Sequence, residues 1–151
     1  MTSSVAVIGA GLMGSGIAQL MASHGMNVML YEPFDAARHE AKEKILSICN
    51  AIGDPDECIE RITFTGDLER AVASVDFVIE AAPEKIELKQ DLFAKLADFA
   101  PSSTVLATNS SVIPISTIAR QLGDADAARG LQAGQLHQPV RLAALGGHAA
   151  E

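Results

Sequence analysis

No tryptophan and only one tyrosine occur in the 151 residues, and aromatics make up 4% of the chain. A core must therefore be built from Val, Ile, Leu, Met and Ala. Basic residues are also scarce, 11 against 19 acidic ones, giving a net charge of −8. That balance argues against nucleic acid or an anionic membrane surface as a partner. It leaves room for a local anion site, because helix ends and single lysines set the field in a cleft. Cysteine is limited to Cys49 and Cys58, without zinc or redox spacing, which reads as two ordinary intracellular thiols. No metal site is expected. No apolar stretch is long enough to span a bilayer, and the N-terminal apolar run is too short and too broken by glycine to be a signal peptide. A cytoplasmic location is the simplest expectation. What remains, 48% hydrophobic and 20% charged, is globular, and the length suits one domain with a real core.

The most informative stretch is Val5-Ala6-Val7-Ile8-Gly9-Ala10-Gly11-Leu12-Met13-Gly14. Its apolar start reads as a buried parallel strand, and Gly-x-Gly-x-x-Gly follows at once before a helical pattern. Gly9 would allow a tight strand-to-helix turn, Gly11 a close approach of backbone to a pyrophosphate, and Gly14 close packing of helix on strand. The N–H groups of such a helix start, with their partial positive charge, suit a dinucleotide's phosphates. The helix continues through Ile17-Ala18-Gln19-Leu20-Met21-Ala22, with Gly25 as its C-terminal cap. A second strand, Asn27-Val28-Met29-Leu30-Tyr31, ends at Glu32, about 20 residues past the glycines, where a carboxylate accepts hydrogen bonds from an adenosine ribose. The same charge would repel a 2′-phosphate, which favours NAD over NADP.

Strand and helix patterns alternate up to about residue 122. A helix is expected over 35–52, started by Pro33 and Asp35 and ended by Gly53-Asp54-Pro55. A strand at 62–65, a short helix at 67–72 and a strand at 76–80 follow. An amphipathic helix over 84–99 carries Leu88, Leu92, Leu96 and Phe99 as its core stripe. A strand at 104–107 and a helix at 114–122 complete the pattern. Such alternation predicts an α/β fold, a Rossmann-type doubly wound parallel sheet. From 125 to 151 the chain is rich in Ala, Gly, Gln and Leu, with no aromatic and no clean period. The expected organisation is a nucleotide-binding domain over 1–124 and an atypical, poorly ordered tail over 125–151.

Five blocks in order give the chain a recognisable pattern from Val5 to about Leu122. The first is Gly9-Ala10-Gly11-Leu12-Met13-Gly14-Ser15-Gly16-Ile17-Ala18, and the second is Ile62 to Leu68. The third runs from Asp76 through Glu84 and includes Lys89. The last two are Ala107-Thr108-Asn109-Ser110-Ser111 and Ile115-Ser116-Thr117-Ile118-Ala119. Together they resemble the NAD-binding domain of 3-hydroxyacyl-CoA dehydrogenases. The resemblance implies NAD as cofactor, held by Gly9, Ala10, Gly11, Leu12, Met13, Gly14 and Glu32, with Glu84, Lys89 and Asn109 lining the site. It implies Ser111 as the active-site serine touching the nicotinamide side and the substrate hydroxyl. It also implies a small-molecule substrate, an acyl-CoA or another 3-hydroxy acid such as carnitine or gulonate, and a place in fatty-acid β-oxidation. From spacing alone, Glu84 and Lys89 read instead as a surface ion pair on a helix, and Asn109-Ser110-Ser111 as a loop and helix cap.

The resemblance breaks after residue 124. The family's chemistry needs a histidine general base, oriented by a glutamate. That histidine should follow a Gly-Leu pair, but Gly130-Leu131 is followed by Gln132, and Ala144 falls near the glutamate position. His137 is a weak candidate for a displaced base; His24, His39 and His148 read as solvated. The family's C-terminal helical domain, which forms the substrate cleft and the dimer, is expected to be absent. The abrupt loss of pattern suggests a tail that is out of frame or degenerate. Without a good sixth strand, since 128–133 is a poor one, the sheet edge would be exposed and open to a homo-oligomer or partner chain.

Overall fold

The computed structural model describes residues 3–53, 55–118 and 141–144. Its framework is β1 (Ser4–Ile8), α1 (Leu12–Ser23), β2 (Asn27–Tyr31), α2 (Asp35–Ile52), α3 (Pro55–Glu60) and β3 (Ile62–Thr65). Then follow α4 (Leu68–Val72), β4 (Phe77–Glu80), α5 (Ile86–Phe99), β5 (Val105–Thr108), α6 (Ile115–Ile118) and β6 (Arg141–Ala144). The six strands are all parallel, in the order β3-β2-β1-β4-β5-β6. The chain winds outward from β1 to β3 and then returns to lay β4 on the other side of β1. That reversal opens a crevice at the carboxyl ends of β1 and β4, where ligands of such sheets bind.

Successive strand residues face opposite layers, so each strand must be apolar on both sides. Val5, Val7, Val28, Leu30 and Ile79 pack under α1, α2 and α3 with Ala18, Ala22, Ala41, Ile45, Cys49 and Cys58. Ala6, Ile8, Val78 and Leu106 pack on the opposite face with Ala71, Val72, Leu92, Phe93 and Leu96 of α4 and α5. Phe93 is the one aromatic in the fully buried set, so the core is aliphatic as expected. Both cysteines are buried and not disulfide-bonded.

Local signals explain most boundaries. Gly25 at φ +81° follows the end of α1, and Gly53 at φ +80° closes α2 in the left-handed conformation that glycine favours. The Asp67 carboxylate accepts from Arg70 N at 3.1 Å and caps α4. Three expectations need correction. Pro55 does not merely end α2; a proline at the first position of a helix loses nothing by lacking an N–H, and α3 starts there. On α5 the buried face is Lys89, Leu92, Phe93 and Leu96, while Leu88 and Phe99 are exposed, so the core stripe is rotated from the one the leucines suggested. Within the segment expected as a tail, Arg141–Ala144 forms β6 in register with Val105–Thr108, so the outer edge of β5 is covered by this chain itself. Residues 119–140 and 145–151, including the 128–133 stretch and the end of the 114–122 helix, lie outside the described residues.

Candidate functional site

The glycine turn is built as tightly as its sequence requires. Gly9 sits at φ +107°, and a Cβ there would stand 2.7 Å from the Ala81 carbonyl oxygen. A Cβ on Gly14 would fall 1.7 Å from the carbonyl oxygen of Gly9, so α1 crosses directly over the end of β1. Gly11 has nothing within 4 Å of where its Cβ would be: it faces open space. The Ser15 hydroxyl, itself buried, donates to the Ala10 carbonyl oxygen at 3.0 Å and ties the turn to the first turn of the helix. No side chain caps α1 at Gly11, which leaves its first N–H groups for water or a ligand.

These groups border a cavity of about 400 Å³. Gly9, Gly11, Leu12 and Met13 form its wall at the turn, with Leu12 84% exposed and offering apolar surface at the rim. Glu32, at the end of β2, stands on one flank. Its Oε2 accepts from Ala10 N and its Oε1 from Phe34 N, both at 3.3 Å, which holds the carboxylate beside the turn with lone pairs to spare. The Arg38 guanidinium donates to the Glu32 carbonyl oxygen and pairs with Asp35, so this cation is already engaged. On the other flank, beyond β1, lie Ala81, Ala82, Pro83 and Glu84 after β4, and Asn109 after β5. Asn109 N donates to the Glu80 carbonyl oxygen at 2.8 Å, extending the β4–β5 ladder into the site.

Behind that flank is a buried charge cluster that the sequence reading did not find. Glu80 and Lys89 are both 0% exposed. Glu80 Oε1 accepts from Lys89 Nζ at 2.7 Å and from Ala82 N at 2.6 Å; its Oε2 accepts from the Thr108 hydroxyl at 2.6 Å. Lys89 Nζ also reaches the Ala82 carbonyl oxygen at 3.1 Å and Glu84 Oε1 at 3.3 Å. The surface ion pair expected for Glu84 and Lys89 is therefore corrected. Lys89 points inward from α5 and lies outside the cavity lining, and only Glu84 meets solvent. The Ser110 hydroxyl donates to Glu84 Oε2 at 2.7 Å and accepts from Ile113 N at 3.1 Å. Thus buried Ser110 engages the site, while Ser111 is exposed and lies outside the cavity lining. The signal for Glu80 was a carboxylate ending an otherwise apolar strand, with a lysine on the next helix.

Comparison with known proteins decides what this cavity belongs to. The family described as 3-hydroxyacyl-CoA dehydrogenase, NAD binding domain, matches residues 4–133. The chain belongs to that family. It is 38% identical over 136 residues to the 3-hydroxyadipyl-CoA dehydrogenase of Escherichia coli K12, covering 85% of this chain and 28% of that protein. It is 33% identical over 124 residues to the L-carnitine dehydrogenase of Streptomyces griseus, covering 80% of this chain and 37% of that one. Among solved structures, the 3-hydroxybutyryl-CoA dehydrogenase of Escherichia coli K12 superposes with a TM-score of 0.73 at 40% identity, over 80% of this chain and 27% of that one. The chain thus spans less than half the length of these relatives. NAD is the cofactor of this domain, and the residues present fit it: the turn admits only glycine at positions 9 and 14, and the space before Gly11 is clear.

In this NAD-binding domain the catalytic half of the family pattern is not found among the described residues. His24 is exposed with Nδ1 against the Leu20 carbonyl oxygen, and His39 is exposed beside Glu43. Neither lines the cavity. Ala144 ends β6 in register with Thr108, at the carboxyl edge of the sheet, and an alanine there supplies no carboxylate to orient a base. Gln132, His137 and His148 lie outside the described residues. Among the described residues, no cluster of His, Cys, Asp or Glu could hold a metal, and no helix is long and apolar enough to cross a membrane.

Proposed function

We propose that this chain supplies the NAD-binding half of a dehydrogenase that oxidises the 3-hydroxyl of an acyl-CoA. One observation carries the reading: a single cavity at the β1–β4 crossover joins the glycine turn, the Glu32 carboxylate on the β2 side and Glu84 with Asn109 on the β4–β5 side. Gly9, Ala10, Gly11, Leu12, Met13 and Gly14 would take the pyrophosphate against the start of α1, and Glu32 the adenosine ribose. Glu84 and Asn109 would receive the nicotinamide nucleotide, with Lys89 acting on it only through Glu84. When bound, NAD accepts the hydride from the carbon that carries the hydroxyl. Ser111, exposed next to this flank, would hold the substrate hydroxyl by hydrogen bond, and the hydroxyl proton would pass to a general base. A glutamine at 132 cannot take that proton. A carnitine- or gulonate-type 3-hydroxy acid would present the same hydroxyl to the same residues, so substrate choice within the class rests on groups beyond this domain.

A second reading is favoured by Gln132 and Ala144: a non-catalytic NAD-binding module, or one half of a split protein whose partner brings the base and the substrate cleft. A partner chain is not needed to cover β5, because β6 occupies that edge. A homo-oligomer, a cytoplasmic location and a role in fatty-acid β-oxidation go with the first reading. The test is a calorimetric NAD titration followed by an assay of NADH formation with 3-hydroxybutyryl-CoA. Binding without turnover is the expected result for a chain that supplies only the cofactor half. A folded chain that ignores NAD overturns the reading, and turnover by the chain alone overturns its restriction to half a site.

A further inference from the structure

Two carboxylates flank the glycine turn from opposite sides of β1. Glu32 is held lightly, by two backbone N–H groups at 3.3 Å. Glu84, though 48% exposed along its side chain, is gripped at both oxygens by buried groups: Lys89 Nζ at Oε1 and the Ser110 hydroxyl at Oε2. The Lys89 ammonium is held in turn by Glu80 Oε1 at 2.7 Å and by the Ala82 carbonyl oxygen at 3.1 Å. Glu80 is itself locked by the Thr108 hydroxyl from the neighbouring strand, with which it is in register, and by Ala82 N from the loop above. Three separate pieces of chain, the loop after β4, α5 and the end of β5, therefore meet on one carboxylate. A buried pair of this kind is a poor way to gain stability, since apolar residues of the same volume do as well. It is a good way to hold an exposed acid at one place on a cavity wall.

We propose that Glu80 is a positioning residue for the nicotinamide half of the cofactor site: through Lys89 it fixes the Glu84 carboxylate at the wall of the cavity on the β4 side. This rests on the NAD reading above. With the adenosine ribose at Glu32 beyond β2 and the pyrophosphate at α1, the strand order puts the nicotinamide nucleotide on the side where Glu84 stands. Each Glu84 oxygen keeps a lone pair for that nucleotide's hydroxyl groups. Glu80 touches no ligand.

The experiment compares NAD with ADP, which carries the adenosine and pyrophosphate but no nicotinamide nucleotide. Calorimetric titrations are run on the wild-type chain, Glu80→Gln and Thr108→Val, with thermal melts alongside. Thr108→Val keeps the charges balanced and removes the hydroxyl that donates to Glu80 Oε2 and accepts from Ser110 N at 3.1 Å, so it loosens the same support of Glu84 if Glu80→Gln does not fold. The expected result is NAD affinity lower by about tenfold in the variants, with ADP affinity within about twofold of wild type. NAD and ADP affinities that fall together, or NAD affinity unchanged, would mean a purely structural cluster and overturn the proposal. A wild-type chain that binds neither ligand would instead bring down the NAD reading itself, and the proposal with it.

Discussion

The carbonyl oxygen of Gly9 and the Cα of Gly14 are so close that a methyl group on residue 14 would lie 1.7 Å from that oxygen. Both partners are backbone, so no side-chain rotation relieves the overlap. Gly14→Ala must push α1 off the end of β1 and is expected to cost about 3 kcal/mol of stability. A urea unfolding curve measures it; a change below about 1 kcal/mol would mean that the helix is free to shift.

Glu32 faces the cavity as an acceptor, and among the described residues no cation pairs with its carboxylate. Glu32→Ala is expected to weaken NAD by about tenfold to a hundredfold, the range for hydrogen bonds to a charged group. NADP, whose 2′-phosphate a carboxylate at the ribose site would repel, should lose much less, so the gap between the two cofactors should narrow. Parallel titrations with both cofactors check this, and an unchanged ratio would remove Glu32 from the ribose site.

The Glu80–Lys89 pair predicts an asymmetric mutant series. Lys89→Met leaves a wholly buried carboxylate facing only Ala82 N and the Thr108 hydroxyl, and should cost about 3–5 kcal/mol. The double change Glu80→Leu with Lys89→Met should recover most of that loss, because neither charge is then stranded. Chemical denaturation of both variants gives the coupling. By contrast, Lys44→Ala breaks an exposed i, i+4 pair with Glu40 and should leave the unfolding midpoint where it was.

Asp76 carries a pH dependence. Its carboxylate accepts from Ser4 N at 2.8 Å and from the Ser4 hydroxyl at 3.0 Å, and these bonds, the backbone one foremost, hold its pKa below the ordinary 3.8. A depressed folded-state pKa means stability that is present above the unfolded value and is lost as pH falls through the folded one. The acid limb of stability below about pH 4 should therefore be shallower in Asp76→Asn than in wild type. Identical limbs in a urea-midpoint series would mean that this contact contributes nothing.

How much of this was readable in the sequence depends on whether the cause is local. The turn from Gly9 to Gly14, the strand ending before Glu32 and the Gly53 stop are each set by neighbours within a few residues, and the structure reproduces them. The buried face of α5 is not legible from local spacing, because Lys89 looks like a surface residue until it is paired with buried Glu80, nine positions earlier. The Ser110 contact with Glu84 is hidden from local spacing for the same reason: its partner lies 26 positions away. Arg141–Ala144 has little strand propensity of its own, and its pairing is directed by the open edge of β5.

The central claim, that the cavity at the β1–β4 crossover takes NAD, is tested most directly by calorimetric titration of the wild-type chain and of Gly11→Ala. The Gly11 position has clear space within 4 Å, so the variant should fold and melt as the wild type does while its methyl group stands in the pyrophosphate's path. The account predicts one NAD per wild-type chain and none detectable on the variant. A folded wild type without heat of binding, or a variant that binds NAD as well as the wild type, would contradict it.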